Sequence, residues 1–326
     1  PKDARHHIEY SGGKKMNYSS GGDWSVSEDK RFGIVGELEE SSVLPSPADL
    51  TEDADGNTSY EYNPRGTEAI KSELVKGRAV SIAFCADTSQ PGQSSDDTLY
   101  ISENWAHYTC ITDSPSHAVT IVGWDDNYST DNFLQGDFVD PDTGEVVKDE
   151  EGNNVSRTPP ADGAFLVKNS WGSDKQTFPH KNKWGENGEG YFWLSYYDKS
   201  LMLPESFTFN MEKRTNTLYL NQYDYMPSMG MDVLSRKGWT AKMANVFTAE
   251  DGDMTLRTVC TTTAAADCDV KYEVYRLNKN ATEPDDGELV AEVNAYYEYA
   301  GYHRENLRPR PNFHNGEKYS VIVRQQ

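Results

Sequence analysis

The stretch SHAVTIVGW at residues 116–124 organises this chain, because it places His117 at the head of a run of apolar residues. A near-continuous apolar run bounded by polar residues predicts a strand in a buried position. A second stretch, VKNSWG at residues 167–172, ends another short apolar run and places Asn169 just before a Ser-Trp-Gly turn. The ends of these two predicted strands are therefore the first places to look for a functional site.

Three side chains at these strand ends have complementary chemistry. The imidazole of His117 can take a proton from a nucleophile, and the amide oxygen of Asn169 can hold the ring in one tautomer without adding a full charge. The indole of Trp171 can cover that hydrogen bond and keep water from competing for it. From the pattern alone, a histidine at the head of a strand is more often an ordinary structural residue, so the spacing only suggests a base with its orienting group.

Composition narrows the class of protein. The chain has 326 residues, enough for one large or two ordinary domains, and its aromatic content of 12% indicates a folded core. The formal net charge of −22 opposes contact with a phosphate backbone, so nucleic acid is not expected as a partner. No apolar run has the length of a membrane span. The acidic segment 53–57 lacks the third carboxylate and closing glutamate of a calcium loop, and neither a metal nor a cofactor is expected.

The spacing of apolar residues predicts a helix and strands before about residue 204 and only strands after it. A short helix capped by Thr67 is expected over residues 67–76, followed by a strand over 80–84. A polar surface excursion with a small hairpin is expected over 127–162, and further strands over 164–168 and 190–197. After about residue 204, short strands between polar loops are typical of a β-sandwich or jelly roll. These later strands are expected over residues 217–220, 244–248, 254–262, 270–277, 289–293 and 319–323.

Three motifs in sequence order resemble the C-terminal half of the papain-like cysteine proteases. They are the SHAV and VGW elements of 116–124, KNSWG at 168–172, and WGENG followed by GYF in 184–192. The resemblance covers roughly residues 3–203. It implies an α+β, papain-like fold with a β-barrel-type right domain and part of a helical left domain. It also implies that His117 is the general base, that Asn169 orients it, and that Trp171 shields the pair.

The resemblance also indicates substrate contacts. The segment YSSGGDW at 18–24 is similar to the family's Gly-Gly segment, which binds the substrate backbone, so Gly21 and Gly22 are expected to contact substrate. Ser116 is a third candidate. It stands where many relatives carry an acidic residue, which implies that the base is tuned differently here. Two departures are Ser19 and Ser20 in place of the family's Cys-Asn pair, and the long gap between the histidine and asparagine motifs.

The family's nucleophile segment has no counterpart in this chain. Cys85 and Cys110 lie close to the histidine in sequence, but neither is placed at a helix N-terminus that would lower its pKa, so both are expected to be structural. His107 has no motif around it and is expected on the surface. The expected partner is therefore an N-terminal light chain that carries the catalytic Cys and the oxyanion Gln. A missing segment and a degenerate, inactive homologue remain open alternatives.

The C-terminal region, with ANVFT at 244–248, resembles the lectin-like domain appended to some secreted bacterial papain-like proteases. We therefore expect a papain-like domain over residues 1–204 and a lectin-like β-sandwich over 205–326. Carbohydrate is a candidate ligand of the second domain, and a purely supporting role is an equal alternative. Its aromatic residues suit either role, since they could stack on a sugar or pack inward. They are Tyr296, Tyr297, Tyr299 and Tyr302.

Two further cysteines, Cys260 and Cys268, flank a short polar loop. They could form a hairpin-closing disulfide in an oxidising compartment, or they could be unrelated thiols.

The expected function is hydrolysis of a peptide or protein substrate by a Cys-His-Asn mechanism. The chain would be the heavy-chain part of a secreted or cell-surface endopeptidase, inactive without the Cys-bearing segment. The main rival is a catalytically silent, protease-like surface protein that acts as a binding or adhesion module. A weaker rival is an amidase or transpeptidase that uses the same triad.

Overall fold

The computed structural model describes residues 10–11, 14–15, 36–52, 58–87, 91, 98–174, 184–211, 240–250 and 252–326. Within these ranges the chain is mostly β, with nineteen strands in five sheets and one α-helix, α1 (Pro64–Val75). The strands are, in chain order, β1 (Tyr10–Ser11), β2 (Lys14–Lys15), β3 (Glu37–Val43), β4 (Ala48–Glu52), β5 (Thr58–Tyr62), β6 (Val80–Phe84), β7 (Ala106–His107), β8 (His117–Asp125), β9 (Ala164–Lys168), β10 (Tyr191–Ser195), β11 (Met202–Asn210), β12 (Ala241–Thr248), β13 (Met254–Thr255), β14 (Thr258–Thr263), β15 (Cys268–Leu277), β16 (Gly287–Tyr297), β17 (Gly301–Asn306), β18 (Asn312–Phe313) and β19 (Lys318–Gln325).

The central sheet has nine strands in the order β14-β17-β3-β11-β6-β8-β9-β10-β7. Strands β6, β8, β9 and β10 pair antiparallel with one another, and the predicted strands over 80–84, 117–124 and 164–168 are confirmed. Strand β8 buries only one face, with Val119 and Ile121 in the core, while Val122 and Trp124 on the other face are exposed. The pairing of β8 with β9 brings the start of the first strand beside the end of the second.

Helix α1 begins three residues before the predicted position. Asn63 is the N-cap, and its side chain accepts a hydrogen bond from the backbone N–H of Arg65 at 3.1 Å. Pro64 occupies the first helical turn, where its missing N–H costs nothing. The prediction that Thr67 caps the helix is wrong, because Thr67 is buried inside the helix with its hydroxyl 3.0 Å from that of Tyr62. An N-cap asparagine followed by proline is a signal for the start of a helix, and both residues are visible in the sequence.

The described residues form two main hydrophobic cores. The first lies against the central sheet and includes Ile70 of α1, Ile121 of β8 and Phe165 of β9. The second lies against a four-stranded sheet of order β12-β19-β15-β16 and includes Tyr272 of β15 and Val323 of β19. The all-β character expected of the C-terminal region is thus confirmed over the residues described there.

The central sheet continues through the predicted domain boundary. Strand β11 crosses residue 204 and pairs with both β3 and β6, and strands β14 and β17 from the C-terminal region extend the same sheet. We call this junction of β3 with β17 the seam. It contains the register pair Glu40 and His303 and a hydrogen bond from Val43 N to Ala300 O at 2.8 Å. The division into domains 1–204 and 205–326 stays a prediction.

Two smaller expectations have clear outcomes. The excursion at 127–162 contains the predicted hairpin, with isolated bridges joining Val139 to Val146 and Lys148 to Asn154. The strand expected over 217–220 lies outside the described residues. No helix in the described part of the chain is long and apolar enough to cross a membrane.

Of the two alternatives for Cys260 and Cys268, the structure has unrelated thiols rather than a disulfide, because all four cysteines are free. Residues 261–263, which look like the start of a loop, continue β14 instead. Cys260 therefore lies in the central sheet and Cys268 in the four-stranded sheet, and the two strands diverge rather than forming a hairpin.

Candidate active site

His117 and Asn169 meet at one edge of the central sheet. Because β8 and β9 run antiparallel, with Thr120 opposite Lys168, the residue that opens β8 lies near the residue that follows β9. His117 Nε2 lies 2.9 Å from Asn169 Oδ1. Asn169 is buried, with 7% of its surface exposed, and His117 is half-buried. The imidazole is therefore anchored on one side and reachable on the other.

A backbone contact fixes the direction of this hydrogen bond. The N–H of Ser170 donates to Asn169 Oδ1 at 2.7 Å. Because a backbone N–H can only donate, the amide oxygen must face this corner, and His117 Nε2 must carry a proton in order to donate to it. The other ring nitrogen, Nδ1, is then left with its lone pair in the neutral imidazole. The geometry thus leaves His117 Nδ1 able to accept a proton.

Aromatic rings cover the pair. Trp171 stacks on His117 with ring centroids 4.9 Å apart and an interplanar angle of 27°. Trp184, which is 3% exposed, packs edge-on against Trp171 at 5.1 Å. Trp105 packs in turn against Trp184 at 4.9 Å, from a backbone with a φ of 57° that is uncommon outside glycine. The rings thus lie against the side of the His117–Asn169 pair, and the role of Trp171 as a shield against water stays a prediction.

Sequence reasoning missed Trp105. Trp184 stands in one of the quoted motifs, and the motif alone does not indicate its contact with Trp171. Trp105 lies outside the motifs, and no local signal in the sequence marks it, because its contact with Trp184 joins residues far apart in the chain.

The predicted substrate-side residues divide into two groups. Ser116 is exposed next to His117, and its Oγ accepts a hydrogen bond from Ala86 N at 3.1 Å while its own N–H donates to Phe84 O at 3.0 Å. These bonds tie the start of β8 to the end of β6. Gly21 and Gly22 lie outside the described residues. The role of all three in substrate binding stays a prediction.

Neither nearby cysteine has the environment of a nucleophile. Burial raises the pKa of the Cys85 thiol to about 12, and the Asp113 carboxylate, whose Oδ2 accepts from Cys85 Sγ at 3.3 Å, adds to the shift. Burial likewise raises the pKa of Cys110 to about 11. A nucleophilic cysteine needs a lowered pKa, because the thiolate is the reactive form. Both thiols therefore fit the structural role that the sequence suggests.

His107 is buried rather than on the surface, and the prediction for it is wrong. It is 1% exposed, its Nδ1 lies 3.3 Å from Asp198 Oδ2, and its Nε2 accepts from the backbone N–H of Asp87 at 3.3 Å. Its partners come from distant parts of the chain. The imidazole ties β7 to the turns after β6 and β10, so it supports the sheet.

The four tyrosines proposed as a sugar platform mostly pack inward. Tyr297 is buried and stacks on His303 with centroids 3.6 Å apart. Tyr299 packs against the first hydrophobic core. Tyr302 is half-buried, and only Tyr296 is largely exposed. The described residues contain no cluster of His, Cys, Asp and Glu side chains that could hold a metal ion.

Comparisons with known proteins bear on both regions. Residues 220–326 match the lectin-like domain family. No curated protein sequence matches the chain. Among solved structures, the chain is similar to the clostridial cysteine protease Cwp84, in a cysteine-to-alanine variant after propeptide cleavage, with 20% identity and a TM-score of 0.54. That alignment covers 89% of this chain and 55% of the Cwp84 chain.

A second similar structure holds the cysteine protease and lectin-like domains of Cwp84, a surface layer associated protein of Clostridium difficile. It aligns with 18% identity and a TM-score of 0.49, and covers 89% of this chain and 49% of that one. The chain thus spans about half the length of the structures it matches. The first likeness supports the mostly β fold, and the family match indicates a lectin-like domain over residues 220–326.

Proposed function

We propose that this chain is the heavy-chain part of a cysteine endopeptidase with a papain-like fold. The observation that carries the proposal is the 2.9 Å hydrogen bond between His117 Nε2 and Asn169 Oδ1 beneath the Trp171 ring. The fold likeness to Cwp84 supports the same class, and the lectin-like match supports an accessory β domain. The protein is further proposed to be bacterial and to act outside the cell or at its surface.

In the proposed reaction, His117 moves protons and Asn169 keeps its ring in place. Nδ1 takes the proton of a cysteine thiol, and the thiolate attacks the carbonyl carbon of the peptide bond. The imidazolium then protonates the leaving amine, which departs and leaves a thioester. Nδ1 next accepts a proton from water, whose oxygen attacks the thioester, and the released thiolate recovers its proton.

The thiol is proposed to come from an N-terminal light chain that also carries the oxyanion Gln. All four cysteines of this chain are described, and the two near His117 have raised pKa values. In addition, no described atom accepts a hydrogen bond from the buried Nδ2 of Asn169, which suits a site that packs against a further segment. Gly21, Gly22 and Ser116 are proposed to line the substrate side.

The test combines covalent labelling with turnover. A thiol-reactive epoxide is added to the purified protein together with any polypeptide that co-purifies, and the modified residue is located by mass spectrometry. We expect the label on a cysteine of the companion, and not on Cys85 or Cys110. His117→Ala should lower peptide hydrolysis by about 10²- to 10⁴-fold. The matched control, His314→Ala, removes an exposed histidine paired with Asp253 and should leave turnover unchanged. Full turnover in His117→Ala would refute the assignment.

A second candidate is a protease-like surface protein that binds rather than cleaves. The lectin-like match over residues 220–326 favours it. A companion that contains a cysteine but never reacts with the epoxide, in a complex that cleaves no peptide, would select this candidate. If labelling succeeds, a peptide library separates an endopeptidase from an amidase or transpeptidase with the same triad.

A further inference from the structure

A buried group of polar side chains lies behind the end of β6, and the proposed reaction makes no use of it. It consists of His107, Thr109, Asp198 and Ser200, and we call these four residues the Asp198 cluster. His107 is 1% exposed and the other three are 0% exposed. Asp198 Oδ2 accepts from Thr109 N at 2.7 Å, and Asp198 Oδ1 accepts from Ser200 N at 3.0 Å and from Ser200 Oγ at 2.6 Å. Because polar groups buried this deeply are costly without partners, these bonds hold the cluster in one arrangement.

The cluster fixes the tautomer of its own imidazole. The backbone N–H of Asp87 donates to His107 Nε2 at 3.3 Å, and a backbone N–H can only donate. Nε2 therefore holds a lone pair, and Nδ1 carries the proton that faces Asp198 Oδ2 at 3.3 Å. Both ring nitrogens are thus engaged inside the fold. His107 is placed to hold the backbone of Asp87 and not to exchange protons with a substrate.

The cluster also holds the backbone just past the end of β6. Ser200 Oγ accepts from Cys85 N at 2.9 Å, and Thr109 Oγ1 donates to Cys85 O at 3.4 Å. Together with the bond to Asp87 N, these contacts replace the strand pairing of β6, which ends at Phe84. The end of a strand without such partners opens locally at little cost in free energy. The Asp198 cluster therefore keeps residues 85–87 in place.

The other side of the same segment holds the start of β8. Ser116 N donates to Phe84 O at 3.0 Å, and Ser116 Oγ accepts from Ala86 N at 3.1 Å. Phe84 is also the register partner of His117. Successive backbone groups of residues 84–87 thus bond alternately to the Asp198 cluster and to the residue that precedes His117.

A packing contact follows the same path. The ring of Phe84, which is 2% exposed, packs edge-on against His107 with centroids 5.1 Å apart. The same ring lies 6.1 Å from the imidazole of His117. Because interior side chains are closely packed, a displacement of Phe84 is transmitted to both imidazoles.

We propose that the Asp198 cluster positions His117 through residues 84–87, so that Asp198 and Ser200 are positioning residues of the candidate site. Asn169 sets the rotation of the imidazole, and the cluster sets where the ring stands. A misplacement of about 1 Å can cost roughly 10²-fold in rate, so a smaller shift of the base is already measurable. The catalytic consequence rests on the proposed function, whereas the position of the ring does not.

The experiment compares two buried serines. Ser200→Ala removes the hydroxyl that accepts from Cys85 N, and the control Ser320→Ala removes an equally buried hydroxyl in β19. The probe is the ¹⁵N imidazole signal of His117 in the whole chain, with any polypeptide that co-purifies. We expect Ser200→Ala to shift this signal and to speed exchange of the His117 Nε2 proton about two- to tenfold, as for a weakened hydrogen bond. Ser320→Ala should change neither.

A second pair of variants decides the matter if Ser200→Ala does not fold. Thr109→Val keeps the shape of the side chain and removes the bond to Cys85 O. Thr109→Ser keeps the hydroxyl and removes a methyl group. Only Thr109→Val should change the signal of His117.

Turnover of the complete enzyme is an independent readout. Ser200→Ala should lower kcat about three- to tenfold and leave KM unchanged, because the base moves and the substrate contacts do not. If the wild type cleaves no peptide, the proposed function fails, and the imidazole signal still decides whether the cluster positions His117. An unchanged His117 signal in folded Ser200→Ala or in Thr109→Val, or an equal change in either control, would overturn the proposal.

Discussion

Glu73 is the charged residue on which the docking of α1 against β11 depends, and replacing it gives the sharpest test of the scaffold. Its side chain is only 2% exposed. Oε2 accepts from Arg78 Nε at 2.6 Å and from Ser206 Oγ on β11 at 2.8 Å, and Oε1 accepts from Lys76 Nζ at 2.9 Å. One carboxylate thus joins the end of the helix to a strand of the central sheet.

The substitution Glu73→Gln keeps the shape and removes the charge. Breaking a buried ion pair costs about 3–5 kcal/mol, because the remaining charge stays buried without compensation. Arg78 and Lys76 are 25% and 50% exposed, so water partly replaces the lost carboxylate. We therefore expect a loss of about 2–3 kcal/mol in the free energy of unfolding, measured with urea at pH 7. The control Glu68→Gln, on the exposed side of the same helix, should cost at most about 0.5 kcal/mol.

The effect of Glu73 should also depend on pH. Burial opposes ionisation of Glu73, but hydrogen bonds from Arg78, Lys76 and Ser206 outweigh it and lower the pKa of the carboxyl. A lowered folded pKa contributes stability that is complete above the unfolded value of about 4.3 and is lost as the pH falls through the folded value. The difference between wild type and Glu73→Gln should stay constant from pH 7 to about pH 5 and shrink in stronger acid. A difference that grows on acidification would refute the reasoning.

Three further predictions concern the seam, the thiols and the site. At the seam, a Cβ on Gly301, which has a φ of +142°, would lie 2.1 Å from a β3 carbonyl oxygen, so Gly301→Ala should cost roughly 3–5 kcal/mol of unfolding free energy. The control Gly316→Ala has open space around the new Cβ and should cost about 1–2 kcal/mol. Equal losses would count against the close contact. In native protein, iodoacetamide should modify exposed Cys260 first, while Cys85, with its pKa raised to about 12, should react only on unfolding, as mass spectrometry would show; early labelling of Cys85 would contradict its burial. Asn169→Ala should reduce turnover of the complete enzyme at least about tenfold by freeing the base, with about 1 kcal/mol lost in stability; unchanged turnover would remove its orienting role.

Local signals in the sequence predicted the elements that carry the site. The runs that became β6, β8 and β9 are short, apolar and bounded by polar residues, so their limits are visible without a structure. The order of the chain also places His117 and Asn169 at strand ends. What the pattern alone does not show is that β8 and β9 are neighbours, and the resemblance supplied that step. Asn63 and Pro64 mark the start of α1 in the sequence, whereas the prediction placed the cap at Thr67.

Long-range contacts explain the failures. His107 looks like a surface residue because its partners, Asp87 and Asp198, lie 20 and 91 residues away. Cys260 and Cys268 look like the ends of a hairpin because a strand that continues for three polar threonines resembles a loop in sequence. The seam likewise joins β3 to β17 across most of the chain, and no window of the sequence contains both strands.

The seam also covers an edge that would otherwise be open. Strand β17 is the neighbour of β3 on the side away from β11, where His303 pairs with Glu40. An uncovered strand presents a row of unpaired N–H and C=O groups, which is a template for pairing with another molecule. Proteolysis between β11 and β14 that released the C-terminal region would expose β3 in this way. We expect the product to be a fragment prone to aggregate rather than a smaller monomer, which light scattering after limited proteolysis would show.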